Sequence, residues 1–350
     1  MAAGSAVPMF KNRKTIAAVA MVLILVVASA AIFALQRSPS RLLITYSADA
    51  YVLESNYLLN SFHNSTGYGV APAVGGGSFS SARLIGQGAP ADILISVSLE
   101  AYTQAYLKGR YSGWAMAFAA DQLVIAYSNA TLQNSQAQSI ITLFKQAYST
   151  NATNSYFSAF DNLTSGKVKV GIANPADDPA GLRGWLALEI AGYLFAGGNT
   201  SYFTDEIASS GGYVSAVNAA ELVAPLETGN IQFLLTYRSA ALSSGLHYIA
   251  LTPQLNQGST NLTAFYYRFT YKLPTGIVHG APIYLFMSVL ANSSNANAAY
   301  SFLDFVVNST QLMARFGMIP LTSPLMFYSS LPPRAAALLD QGRVAYGGRL

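Results

Sequence analysis

"KVKVGIANPADDPAGLRGWLALEIA", residues 167–191, is the stretch on which the reading of the chain turns. Its first part ends in a strand, the middle is a turn with two adjacent aspartates between prolines, and an apolar run follows from Pro179 to about Ala196. Asp178 is suited to cap that helix, with Pro179 at the first helical position, where a missing N–H costs nothing. This accounts for one aspartate and leaves Asp177, within "NPADDPAGLR", without a structural purpose.

Working outward, the same strand-turn-helix unit recurs. "RLLITYSADAYVLESNYLLNSF" predicts a strand over 42–46 and a helix over about 50–62, with Ser47 in the turn. "GVAPAVGGGSFSSARLIGQGAPADILISVS" predicts a strand near Val70, a glycine turn at 75–77, a helix starting at Ser78, a break at Pro90 and a buried strand over 92–97. This alternation is the βαβ pattern of a parallel sheet. Further strands are expected over 121–128, 231–237 and 280–290, the second preceded by a helix in "ELVAPLETG". The last strand is followed by an amphipathic helix ending at Gly317 and Pro320. Two α/β lobes emerge, with no internal repeat. In such sheets ligands bind outside the carboxyl ends of strands, where helix N-termini offer unpaired N–H groups and positive potential. The turns carrying Ser47, Gly75–Ser78 and Asp177–Asp178 together make a geometry for holding an anion.

Length and composition fit this reading. A chain of 350 residues exceeds one ordinary domain, and two cores of about 150 residues each match the usual domain size. With 52% hydrophobic and 10% charged residues, the composition is that of a folded protein. Lys11, Arg13 and Lys14 precede an uncharged run from Ile16 to Leu35, long enough to span a bilayer as a helix. "ASA" at 28–30 also has the small residues of a cleavage site, so membrane anchor and cleaved signal peptide both stay open. Either places residues beyond Arg37 outside the cell, at the membrane face or secreted. Without those three leader cations, 16 basic residues face 15 acidic ones, so the net charge of +4 does not point to nucleic acid. Eight N-x-S/T sequons, starting at Asn64, Asn129, Asn151, Asn162, Asn199, Asn261, Asn292 and Asn308, suggest glycosylated surface loops. The absence of cysteine excludes disulfides, thiolate metal sites and a lipid-modified cysteine at the leader.

Catalytic templates are missing: there is no G-x-S-x-G, HExxH, GxxxxGK[ST] or strand-linked GxGxxG. His63, His247 and His279 lie far apart, without metal-ligand spacing, and are expected as surface or packing residues.

The chain resembles the archaeal molybdate/tungstate-binding proteins of ABC importers, within the bacterial type of extracellular solute-binding protein. The matching pieces are "APADILISVS", "ADQLVIAYS", "GIANPADDPAGLRGWLALEIA", "ELVAPLETGNIQFLLTYRSAALSSGLHYIAL", "GAPIYLFMSVL" and "AAYSFLDFVVNSTQLMARFGMIPL", in the family's order. The resemblance implies a two-lobed, periplasmic-binding-protein-like α/β fold of type II with crossing strands between the lobes. After a signal or anchor segment over 1–40, lobe one would combine 41–114 with 277–350, and lobe two would span 115–276. It implies a monomer without cofactor or enzymatic activity, which closes over tungstate or molybdate and delivers it to an ABC permease. Residue by residue it points to Ser47, Ser78, Asp178 and Tyr237 as ligand-binding groups, with Asp177 beside them and Asp178 facing the metal centre of the bound oxyanion. Ala180 and Leu182 depart from the cysteine and tyrosine common in the family. The family's second carboxylate aligns best with Ala219; Glu221 can substitute after a local shift, or the second carboxylate is absent. A different anion or organic solute on the same scaffold, or an enzyme on a bilobal fold, are the rival readings.

Overall fold

Two mixed sheets organise the chain in a computed structural model that describes residues 41–350; the leader helix and its anchoring or cleavage lie outside the described residues. In the larger sheet β1 (Thr45–Ala48) lies between β2 (Val74–Gly76) and β3 (Ile93–Ser96) and is parallel to both. Helix α1 (Val52–Thr66) connects the first pair and α2 (Ser78–Gly86) the second. Leu58, Leu59 and Phe62 of α1 and Phe79, Ala82 and Ile85 of α2 recur at helical spacing, so each helix buries one face. Beyond β3 the sheet continues through β12 (Tyr284–Val289), β4 (Trp114–Ala120), β13 (Ile319–Tyr328) and β14 (Ala345–Gly348), while β10 (Thr270–Leu273) and β11 (Gly276–His279) pair as a separate hairpin. All seven residues of β4, "WAMAFAA", are buried, as a central strand covered on both faces requires.

The smaller sheet has the order β7-β6-β8-β5-β9, from β5 (Leu123–Tyr127), β6 (Val170–Gly171), β7 (Tyr213–Val214), β8 (Phe233–Tyr237) and β9 (His247–Ala250). Helices α3 (Ser135–Thr150), α4 (Thr153–Thr164) and α5 (Pro179–Phe195) belong to this lobe. Twelve of the 17 residues of α5 are buried, which explains why its sequence is apolar around most of its circumference. A Cβ on Gly181 would lie 1.9 Å from the Ala173 carbonyl oxygen, so only glycine lets α5 start this close to the strand end before it.

The lobes are joined by two adjacent connections. One runs from β4 through Asp121 and Gln122 to β5, and the other returns through residues 280–283 to β12; the Asp121 amide donates to the Ile283 carbonyl at 3.0 Å. The chain therefore leaves the larger sheet after Ala120 rather than after Trp114, and rejoins it at Tyr284 rather than at 277.

Three elements differ from the sequence reading. The triple glycine is not a turn throughout: Gly75 and Gly76 are strand residues paired with Ser47 and Ala48, and only Gly77 turns the chain into α2. The first strand is shifted to Thr45–Ala48, because Leu43 makes only an isolated bridge to Val70. The C-terminal helix stops at Asn308 and gives way to a 3₁₀ segment, Thr310–Phe316, which ends on Gly317 at φ 75°. The polar "NST" at 308–310 interrupts the apolar pattern there. Among the described residues no helix is long and apolar enough to cross a membrane. Seven of the sequon asparagines are exposed and Asn162 is half-buried, its side chain donating to the Ser158 carbonyl.

Candidate functional site

Ser47 is the penultimate residue of β1 and Ser78 begins α2, and both are fully buried near the carboxyl ends of neighbouring strands. Their hydroxyls differ in availability. Ser47 Oγ lies 2.7 Å from Ser55 Oγ and also approaches the Ala48 and Tyr51 carbonyls, so it is engaged within its own lobe. Ser78 Oγ only accepts, from the Val97 amide at 3.4 Å, and its proton stays free to donate.

From the second lobe, Asp178 is the N-cap of α5 as the sequence predicts: Oδ1 accepts from the Ala180 amide at 2.9 Å, with Pro179 next. Its Oδ2 accepts from the Ala219 amide, also at 2.9 Å. Burial, with the nearby charge of Asp49 second, pushes this carboxyl up to about 8 despite those two donors. Tyr237, at the end of β8, is fully buried, and its hydroxyl has no hydrogen-bond partner. Its ring centroid lies 5.5 Å from that of Tyr51, whose carbonyl faces Ser47 Oγ, which sets Tyr237 against the first lobe. Burial, reinforced by the charge of Asp178, raises the phenol well above its ordinary value and keeps it a hydrogen-bond donor.

Asp177 is placed differently from its neighbour. It pairs with the Arg83 guanidinium of α2 and accepts from Asn174 Nδ2 at 2.6 Å, while its carbonyl accepts from the amides of Phe79 and Ser80. The adjacent aspartates thus divide two tasks, one capping a helix and the other joining the lobes. Glu221 is exposed and accepts from Asn218 Nδ2 at 2.9 Å; it is not gathered with the other candidates. The three histidines are packing or surface groups: His63 meets the Tyr68 carbonyl, and His247 and His279 stack on Tyr127 and Tyr267. No group of three or more potential metal-ligating side chains occurs among the described residues.

Two residues at the cleft escape the sequence reading. Asp49 lies two positions beyond Ser47, accepts from its neighbour Ala50 at 2.8 Å, and reaches across the lobes to the Ala220 amide at 3.3 Å. It carries the signal used elsewhere, an acid between a strand end and a helix. Arg183 lies inside the opening motif and is fully buried, with Nη1 donating to the Ala281 carbonyl at 2.9 Å and Nε unpartnered. It ties α5 to the returning connection.

The lobes meet through further bonds around this cleft: Ser243 Oγ donates to Glu54 at 3.0 Å, and Tyr51 and Ser239 hydroxyls both donate to Asp121. Two α/β lobes, two crossing connections and polar groups converging from both sides define a solute-binding architecture. The sequence profile of the bacterial extracellular solute-binding proteins matches residues 46–318, and the chain belongs to this family, whose members normally serve ABC-type transport rather than catalysis. An uncharacterised solute-binding protein of Sulfurisphaera tokodaii is 38% identical over 89% of this chain and 84% of its own length. One from Saccharolobus solfataricus is 37% identical over 87% and 77%. Among solved structures, the fold is similar to the periplasmic molybdate-binding protein of Azotobacter vinelandii, with a TM-score of 0.55, 13% identity, and 80% and 99% of the two chains covered. It is also similar to the sulfate-binding protein SubI of Mycobacterium tuberculosis, with a TM-score of 0.53, 15% identity, and 88% and 93% covered.

Proposed function

We propose that this extracellular solute-binding protein captures a tetrahedral oxyanion, tungstate or molybdate, between its lobes and hands it to the permease of an ABC importer. The observation that carries the reading is a buried, unused donor in each lobe. Tyr237 offers a buried, unpartnered phenol from lobe two, and Ser78 offers a free hydroxyl at a helix N-terminus from lobe one. Both can donate to an oxyanion, and the start of α2 adds positive potential. Ser47 is a weaker contributor because Ser55 already engages it. The exposed sequons support glycosylation of the outer surface, which leaves the cleft clear.

Asp178 decides which oxyanion is favoured. Burial holds the Asp178 carboxyl up to about 8, so at neutral pH it is largely protonated; it gives up that proton for a ligand whose central atom can accept its lone pair, whereas its ionised form is repulsive to a dianion whose central atom cannot. Molybdenum and tungsten can expand beyond four oxygens; sulfur in sulfate cannot. The sulfate reading is favoured by one feature, the methyl group of Ala219 at the place where the resemblance implies a second carboxylate, with Glu221 turned to solvent. Calorimetric titration with tungstate, molybdate, sulfate and phosphate separates the two. Tungstate or molybdate should bind most tightly, and Asp178→Asn, which keeps the cap, should weaken tungstate at least tenfold, about 1.4 kcal/mol, while sulfate is unchanged or improved. Tight sulfate binding by the parent protein, with no response of tungstate to Asp178→Asn, would replace this reading by the sulfate one.

A further inference from the structure

All eight sequons fall within the described residues, and the fold treats them differently. At Asn162 the motif is wound into α4. Its Nδ2 donates to the Ser158 carbonyl at 2.9 Å, and Thr164 is fully buried with its hydroxyl on the Phe160 carbonyl and on Glu206. An enzyme can reach that side-chain amide only in an unfolded chain. The hydroxyls that belong to Asn129 and Asn292 are also used inside the protein: Thr131 donates to the Gln232 carbonyl, and Ser294 donates to Asp92.

Asn199 is the reverse case. With Thr200 and Ser201 it forms an exposed loop between α5 and the helix Tyr202–Ser209. Gly197 and Gly198, at φ 66° and 88°, turn the chain out of α5 in a conformation that other residues rarely adopt. Gly192, in the last turn of α5, lets the loop lie directly on the helix, since a Cβ there would stand 2.3 Å from the Asn199 carbonyl oxygen. The Asn199 amide donates to the Ala196 carbonyl at 3.2 Å and its carbonyl accepts from the Tyr202 amide at 3.3 Å, which fixes the backbone on both sides. Its side chain is fixed as well: Oδ1 accepts from the amide and from the hydroxyl of Ser201, each at 3.2 Å. Among the described residues this is the one sequon whose hydroxyl bonds back to its own asparagine, and Nδ2 is left without a protein partner.

We infer that Asn199 is a glycan attachment site of the folded protein, held ready by its loop, and that Asn162 stays unmodified. This rests on the reading of the sequons as glycosylation signals and is independent of which anion is bound. The co-reactant is a sugar phosphate carried on a lipid. A bond forms from Nδ2 to the anomeric carbon and that carbon's bond to the phosphate oxygen breaks; the phosphate departs with the lipid, and the Nδ2 proton passes to a base of the transferring enzyme. The two donors on Oδ1 stabilise the charge that gathers there as Nδ2 loses its proton. Asn199 follows the end of α5 opposite to Asp178, and a helix of 17 residues is about 25 Å long, so a glycan there leaves the cleft open.

Glycopeptide mass spectrometry of the full chain, isolated from the cells that make it, tests this together with Ser201→Ala and Ser201→Thr. The parent should carry a glycan on Asn199 and none on Asn162; Ser201→Ala should lose the Asn199 glycan, and Ser201→Thr should keep it. A bare Asn199 in a parent that is glycosylated at other sequons overturns the inference and leaves the glycosylation reading standing. A glycan on Asn162 overturns it too, because the sugar must then have been transferred before folding. A parent without a glycan at any sequon removes the glycosylation reading and this inference with it.

Discussion

At the scale of single residues, the cleft separates groups that hold the protein together from groups left over for a ligand. Asp177 and Ser47 are consumed by internal bonds, whereas Ser78 keeps a free proton and Tyr237 an unused phenol. Ser78→Ala should remove one hydrogen bond to a charged ligand, about 1.5–3 kcal/mol or roughly ten- to a hundredfold in oxyanion affinity. Because Ser78 Oγ makes only a 3.4 Å contact inside the protein, thermal stability without ligand should change little. Unaltered affinity for all four oxyanions in the titration would take Ser78 out of the site. The cap at Asp178 was legible, since a capping residue before proline is a local pattern. The bond of Asp49 across the lobes was not, because it depends on the approach of Ala220, 171 positions away.

At the scale of elements, the α2 N-terminus closes directly onto the turn before α5. Gly77, at φ −55°, has a backbone that alanine adopts freely, yet an added Cβ would lie 2.6 Å from the Asp177 carbonyl oxygen of the other lobe. Gly77→Ala should thus leave each lobe folded and hinder closure, lowering affinity for every oxyanion at least about tenfold without changing their order. Parent-like affinity would show that binding does not need this contact. A second interlobe bond carries a pH signature. Glu54 in the first turn of α1 accepts from Ser243, its other oxygen is buried without a partner, and burial pushes its carboxyl from 4.5 up to about 7. A carboxyl raised by folding gives stability that is fully present below about 4.5 and is lost as pH rises through about 7. The melting temperature of the parent should fall across that window relative to Glu54→Gln, and parallel profiles would place Glu54 in water. Strand and helix types were readable from periodicity, but the triple glycine was not: nothing local distinguishes a glycine turn from a glycine edge strand, and pairing with β1 decides it.

At the scale of the whole molecule, the order of the chain carried the architecture. The strands after Asp121 and after 280–283 could be read from apolar runs separated by polar turns, whereas their crossing between the lobes was implied by the family resemblance, and the position of the first crossing needed the pairing of Trp114–Ala120 to be seen. Closure itself was not legible, because it is a sum of weak bonds between distant segments: Arg83 to Asp177, Ala220 to Asp49 and Ser243 to Glu54. The central claim is that a heavy tetrahedral oxyanion sits inside this closed interface. Anomalous diffraction at the tungsten edge from crystals grown with tungstate tests it most directly. The account predicts one dominant peak between the lobes, bounded by Ser78 and Tyr237 with Asp178 beside the metal. A peak elsewhere on the surface, or an interface without one at saturating tungstate, would contradict it.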